Sequence, residues 1–219
     1  MDLNATAKLN NADRIPWIGF GVFQTEPGEE TYRSVSIALR VGYRAVDTAS
    51  YYRNEEDVGR AIRDSDLSPE QVYVTTKVWN DEQGYDGTLR AFEASRKRLG
   101  IGKIDLYLIH WPVTGKYTDT WRALEKLHRE GEVGSIGVSN FKVHHLEELM
   151  KDTEIKPVIN QVEFHPFLLQ PELLEFCRRQ EIQVEAWSPL TRARFLDNPV
   201  IQDIARAHGK SPAQVLIRW

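Results

Sequence analysis

The sequence has one cysteine and two methionines in 219 residues, and it has no apolar run of membrane-spanning length. A single cysteine rules out an internal disulfide. Cys177 stands among Leu173, Leu174 and Phe176, neighbours that mark a packed side chain rather than a nucleophile. Basic residues are not in surplus: 28 Lys and Arg face 32 Asp and Glu, for a net charge of -4. Nucleic acid is therefore not an expected partner. The start, MDLNATAKLN, lacks the basic stretch and apolar core of a secretory signal, so we expect a cytoplasmic protein with no membrane partner. The six histidines show no HExxH spacing and no cysteine or carboxylate arrangement typical of zinc, so no metal is expected. Gly19 and Gly21 are followed by Gln24 where a dinucleotide fingerprint needs its third glycine.

What the chain does have is 41% hydrophobic residues and a repeated alternation of two patterns. Short β-branched and aromatic runs recur at 43 to 49, 72 to 78, 104 to 111, 135 to 140, 158 to 164 and 184 to 189, and read as six strands. Their apolar character is nearly continuous, as in a parallel sheet covered on both faces. Between them lie segments with helical spacing, such as Val58, Ala61, Ile62 and Trp121, Leu124, Leu127. Ser68-Pro69 and Ser211-Pro212 mark helix starts, and Gly131 and Gly209 helix ends. Upstream, KLNNADRIPWIGFGV reads as a β-hairpin that turns at 10 to 13, with Pro16 confining its second strand to an edge. No linker or repeat divides the chain, so a single domain, 1–219, is expected. A hairpin with six βα units is an α/β barrel pattern two units short of eight.

Polar residues end these strands with regularity: Asp47, Lys77, His110, Ser139 with Asn140, Gln161, and Ser188 after Trp187. In a parallel barrel they gather at one mouth, where barrel enzymes do chemistry. A lysine ending an apolar strand is partly desolvated and needs a carboxylate such as Asp47. Asp47 and Lys77 alone fit a structural ion pair equally well. Tyr52, five residues beyond Asp47, tips the balance. An ammonium beside a phenol stabilises its phenolate and lowers its pKa, so that tyrosine becomes a usable general acid. His110 can supply a hydrogen bond for a substrate oxygen, although taken singly a histidine before Trp111-Pro112 reads as a satisfied structural residue. Trp79 and Trp111, near strand ends, and Phe23 fit an apolar pocket, with Tyr51 and Asn80 as weaker candidates, whereas Trp17 is expected in the core. Arg192 and Arg194 are two cations for phosphate oxygens, or else a solvated basic loop.

The strings DTASYYRNE, TTKVWN, LIHWP, IGVSNF, NQVEFHP and AWSPL resemble, in order and spacing, the signature segments of the aldo-keto reductases, especially the bacterial glyoxal, methylglyoxal and 2,5-diketo-D-gluconate reductases. The resemblance implies an eight-stranded (β/α)8 barrel and NADP(H) as cofactor. It implies Tyr52 as proton donor, Lys77 as the group that lowers its pKa, Asp47 as the holder of Lys77 and His110 as the residue that orients the carbonyl. Ser139, Asn140 and Gln161 would hold the nicotinamide carboxamide and Trp187 would stack on the ring, with Ser188 and Leu190 of AWSPL completing the cofactor contacts. Reduction of a small aldehyde, dicarbonyl or keto-sugar follows.

Two features depart from the family. An eight-unit barrel needs about 250 residues, and the segments that bind the adenosine 2′-phosphate in relatives find no match here. The preference for NADPH is then inherited from the resemblance alone. A monomer is expected if the barrel closes, and a strand-exchanging oligomer if it stays open. The competing readings are a noncatalytic binding or regulatory protein on the same scaffold, and an inactive fragment whose site residues are relics.

Overall fold

The computed structural model describes residues 5–219. After a short antiparallel hairpin, β1 (Thr6–Lys8) and β2 (Arg14–Pro16), seven parallel strands follow: β3 (Phe20–Gly21), β4 (Ala45–Asp47), β5 (Tyr73–Val78), β6 (Ile104–Ile109), β7 (Val133–Ser139), β8 (Ile159–Glu163) and β9 (Gln183–Trp187). Helices α1 (Glu29–Arg40), α2 (Glu55–Arg63), α3 (Tyr85–Leu99), α4 (Tyr117–Arg129), α5 (Val143–Leu149) and α6 (Pro171–Gln180) separate these strands, and α7 (Pro199–His208) and α8 (Pro212–Arg218) follow β9. Each strand pairs with its immediate neighbour in sequence, from β3 to β9. The order never reverses, so there is no switch point of the doubly wound kind, and the strands wind round as in a barrel.

The expectation of six parallel strands is corrected to seven. Phe20–Gly21, only two residues long, pairs in parallel with Val46 and Asp47, but such a short run carries no periodicity and the hairpin pattern absorbed it. The hairpin itself ends at Pro16, turning through Leu9 to Asp13 as expected. Ser68-Pro69 opens only a single 3-10 turn, Pro69–Gln71, whereas Ser211 caps α8 as a helix start.

The strands are apolar throughout because both faces are covered, but the expected helices cover only one face, and the inner face meets the hairpin. On β6, Tyr107 and Ile109 pack with the helices, while Leu106 and Leu108 turn inward against Ala7, Leu9 and Ile15 of the hairpin. The hairpin thus plugs the N-terminal end of the sheet and leaves the C-terminal ends free to carry polar groups. Cys177 is buried in the helix layer, its thiol pushed up to about 11 by burial. No helix among the described residues is long and apolar enough to cross a membrane.

Helices α2 and α3 meet at Gly59, where a Cβ would lie 1.8 Å from the carbonyl oxygen of Leu99. Alanine favours a helix interior, but this clash is with backbone and cannot be relieved by a rotamer change. Gly59→Ala is therefore expected to destabilise the protein by about 1–3 kcal/mol, read as a lowered denaturant midpoint. A midpoint at or above that of the parent would contradict this packing.

Candidate active site

The site begins with an ammonium taken out of water. Lys77, near the end of β5, has a side chain only 1% exposed, and its Nζ donates to Asp47 Oδ1 at 2.5 Å and to the Thr48 carbonyl at 3.0 Å. Burial presses its pKa down, but the Asp47 carboxylate and then Tyr52 outweigh that, so Lys77 is held above the usual lysine value and stays charged. Asp47 ends β4, one strand away, so the parallel register of the sheet puts the pair together.

Tyr52 lies in the 3-10 turn Ser50–Tyr52 that follows β4, with its ring 5.1 Å from Lys77 Nζ. The lysine lowers the phenol pKa as the sequence suggested. The net direction is nevertheless upward, because burial raises it more than Lys77 lowers it, and Asp47 adds to the rise. The expectation of a depressed tyrosine pKa is thus corrected: Tyr52 holds its proton firmly at neutral pH.

His110 follows β6, its ring edge-on to Tyr52 at 5.6 Å and to Trp79 at 5.0 Å. It is buried, and its Nδ1 has no hydrogen-bond partner among the described residues. Desolvation first, and the Lys77 charge second, drop its pKa to about 3. The imidazole is neutral, a donor or acceptor rather than a cation.

Aromatic side chains ring this group. Tyr51 stacks on Trp79 at 3.8 Å, and Phe23 tilts against Tyr52 at 5.0 Å. Trp111 is 43% exposed and is held through its carbonyl, which accepts from Gln83 Nε2 at 2.7 Å, while its ring joins none of these pairs. Trp17 overturns the core expectation: it is 58% exposed, and its backbone N–H bonds to Ala5. It precedes β3 and so lies at the hairpin end, opposite the mouth. A single tryptophan beside an apolar strand carries no signal of whether its ring is covered.

On the far side of the mouth the polar residues satisfy one another. Ser139 Oγ donates to the Gln161 carbonyl at 2.9 Å, and Asn140 Nδ2 donates to the His110 carbonyl at 3.0 Å and to Ser139 Oγ at 3.1 Å. Trp187 Nε1 donates to Asn140 Oδ1 at 3.0 Å. Gln161 Nε2 donates to Asp47 Oδ2 at 2.8 Å and to Glu185 Oε2 at 3.0 Å, whereas its Oε1 has no partner among the described residues. Glu185, in the middle of β9, was not singled out from the sequence, although a carboxylate inside an apolar strand is a legible signal. Burial first and Asp47 second push its pKa up to about 7.

The loop after β9 holds the remaining candidates. Ser188 has a left-handed backbone, φ 51°, and so do Thr191, Arg192 and Ala193 in succession. Leu190 is half-buried, and its carbonyl accepts from Ala193 N–H at 2.9 Å. Arg192 is exposed, with its guanidinium 5.7 Å from the Phe23 ring. Arg194 is exposed and takes part in no ion pair among the described residues. No cluster of metal-ligating groups occurs among the described residues.

Because His110 is depressed to about 3, its imidazole should not titrate across the range, about pH 5 to 8, where ordinary histidines do. Imidazole NMR signals followed against pH should leave His110 flat, and an inflection near 6.5 at that residue would contradict the burial described here.

A model of the aldo/keto reductase family matches residues 17–219. The chain is 56% identical over 217 residues to the glyoxal reductase of Bacillus subtilis, covering 99% of this chain and 79% of that protein. It is 42% identical over 216 residues to the methylglyoxal reductase DkgA of Escherichia coli K12, covering 97% and 78%. Among solved structures, a mutant of Gox0644 in complex with NADPH superposes with a TM-score of 0.93 at 46% identity, covering 98% of this chain and 78% of that one.

Proposed function

Since the chain belongs to the aldo/keto reductase family, we propose that it reduces small aldehydes and dicarbonyls of the glyoxal and methylglyoxal kind, taking hydride from NADPH and the proton from Tyr52. The observation that carries this reading is the buried Lys77 ammonium, paired with Asp47 at 2.5 Å and 5.1 Å from the Tyr52 ring, with His110 beside the same ring. A structural ion pair alone would have no need of a phenol and a neutral imidazole at the open end of the sheet.

The residues present fit the cofactor. Gln161 Oε1 is an unused acceptor for a carboxamide N–H, and Trp187 offers an indole face, its ring fixed through Nε1 by Asn140. Ser139 and Asn140 flank these groups, Ser188 and Leu190 form the adjoining backbone, and the exposed Arg192 and Arg194 are available to phosphates. NADPH, when bound, supplies the hydride that adds to the carbonyl carbon. Everything else falls to the protein. His110, neutral, donates a hydrogen bond that orients and polarises the carbonyl oxygen. An alkoxide is a far stronger base than a phenolate, so even a tyrosine with a raised pKa gives up its proton to it downhill. The phenolate left behind is stabilised by the adjacent Lys77 ammonium, which Asp47 keeps charged.

Substrate size follows from the rim. Phe23, Tyr51 and Trp79 make an apolar collar round His110 and Tyr52, suited to a compact carbonyl compound. The complete Asp47, Tyr52, Lys77 and His110 set weighs against a noncatalytic scaffold role.

Tyr52→Phe keeps the ring packed against Phe23 and removes only the proton. Methylglyoxal reduction is expected to fall by about 10²–10⁴ in kcat, with the NADPH dissociation constant, read by tryptophan quenching, staying within about twofold of the parent. Equal turnover in mutant and parent would sink the assignment of Tyr52 as the acid.

A further inference from the structure

Glu185 is a half-buried acid whose purpose the reaction leaves unexplained. It lies on β9 directly opposite Gln161 in the β8 register, on the strand face that also carries Trp187. Its carboxylate makes no ion pair of its own among the described residues, although charges in such surroundings are costly unless compensated. What it does have is one N–H of Gln161, at 3.0 Å. The second N–H goes to Asp47 Oδ2 at 2.8 Å. An amide nitrogen carries two donors, and here two carboxylates take both. Turning the amide round would set Oε1 against two acceptors, so the pair of acids decides which end of Gln161 faces outward.

We propose that Glu185 is a positioning residue for the cofactor: by taking one N–H of Gln161 it holds Gln161 Oε1 towards the nicotinamide, where that oxygen accepts from the carboxamide N–H. The inference rests on the NADPH reading above. Asp47 alone cannot do this, since it is also committed to Lys77, and with a single acceptor at its nitrogen the Gln161 side chain is free to swing. The ionisable groups that face Glu185 are Asp47 on β4 and Lys77 and Tyr73 on β5. Burial raises Glu185 to about 7, so both of its forms are populated at physiological pH, and as either carboxylate or carboxyl it still offers Gln161 an acceptor oxygen.

The test compares two ligands on three proteins by tryptophan-quenching titration: NADP+, and its 3-acetylpyridine analogue, in which a methyl ketone replaces the carboxamide and no N–H remains. Glu185→Met removes the acceptor, and Glu185→Gln keeps one. The expected result is that Glu185→Met weakens NADP+ about tenfold, as for loss of one well-placed hydrogen bond. Glu185→Gln should stay within about threefold of the parent. The analogue should bind the parent more weakly than NADP+ and be indifferent to either substitution. An unchanged NADP+ dissociation constant in Glu185→Met would overturn the proposal, and so would an equal loss for both ligands, which marks general damage to the site. If the parent itself bound neither ligand, the NADPH reading would fall first and this inference with it.

Discussion

A single ammonium, removed almost completely from water, is the constraint round which this protein is arranged. Lys77 cannot stay charged inside an apolar sheet without Asp47, and Asp47 reaches it only because β4 and β5 are parallel neighbours in a fixed register. The hairpin that plugs the other end of the sheet, through Ala7, Leu9 and Ile15, makes the interior dry enough for the pair to matter. The same charge adds to the burial that depresses His110, stabilises a Tyr52 phenolate and leads through Asp47 to Gln161 and Glu185. The residues proposed for catalysis and those proposed for the cofactor thus form one hydrogen-bonded and electrostatic unit, not two sites that happen to adjoin.

Two opposite pressures on Tyr52 illustrate how the unit works. Burial makes its phenolate harder to form, and Lys77 makes it easier, with burial prevailing in the ligand-free protein. In the proposed reaction the tyrosine therefore stores its proton until a stronger base, the alkoxide, is created beside it. A neutral His110 is the matching part, because an imidazolium next to Lys77 would compete for the role of acid and repel the ammonium.

Much of this was legible in the sequence, and the reasons differ from residue to residue. Asp47, Lys77, His110 and Gln161 stood out because a polar residue ending an apolar run has one economical placement in a parallel sheet. Tyr52 followed from its spacing after Asp47. The strand Phe20–Gly21 was hidden because two residues cannot show a period, so seven parallel strands were read as six. Trp17 was misplaced because an aromatic residue beside a strand does not reveal whether anything covers its ring. Glu185 does not end a strand, and its proposed role depends on the register between β8 and β9, which no single segment encodes. The net pKa of Tyr52 needed three-dimensional burial to be weighed against a charge, which spacing alone does not supply.

The most direct trial of the account is a single-turnover experiment on Lys77→Met, with NADPH bound in advance and methylglyoxal added, following loss of the reduced nicotinamide absorbance. Methionine fills the channel without a charge, so the account predicts a folded protein that binds NADPH and yet reduces methylglyoxal at least about a hundredfold more slowly than the parent. Reduction at the parental rate would show that the buried ammonium does not govern the chemistry, and the central claim would fail.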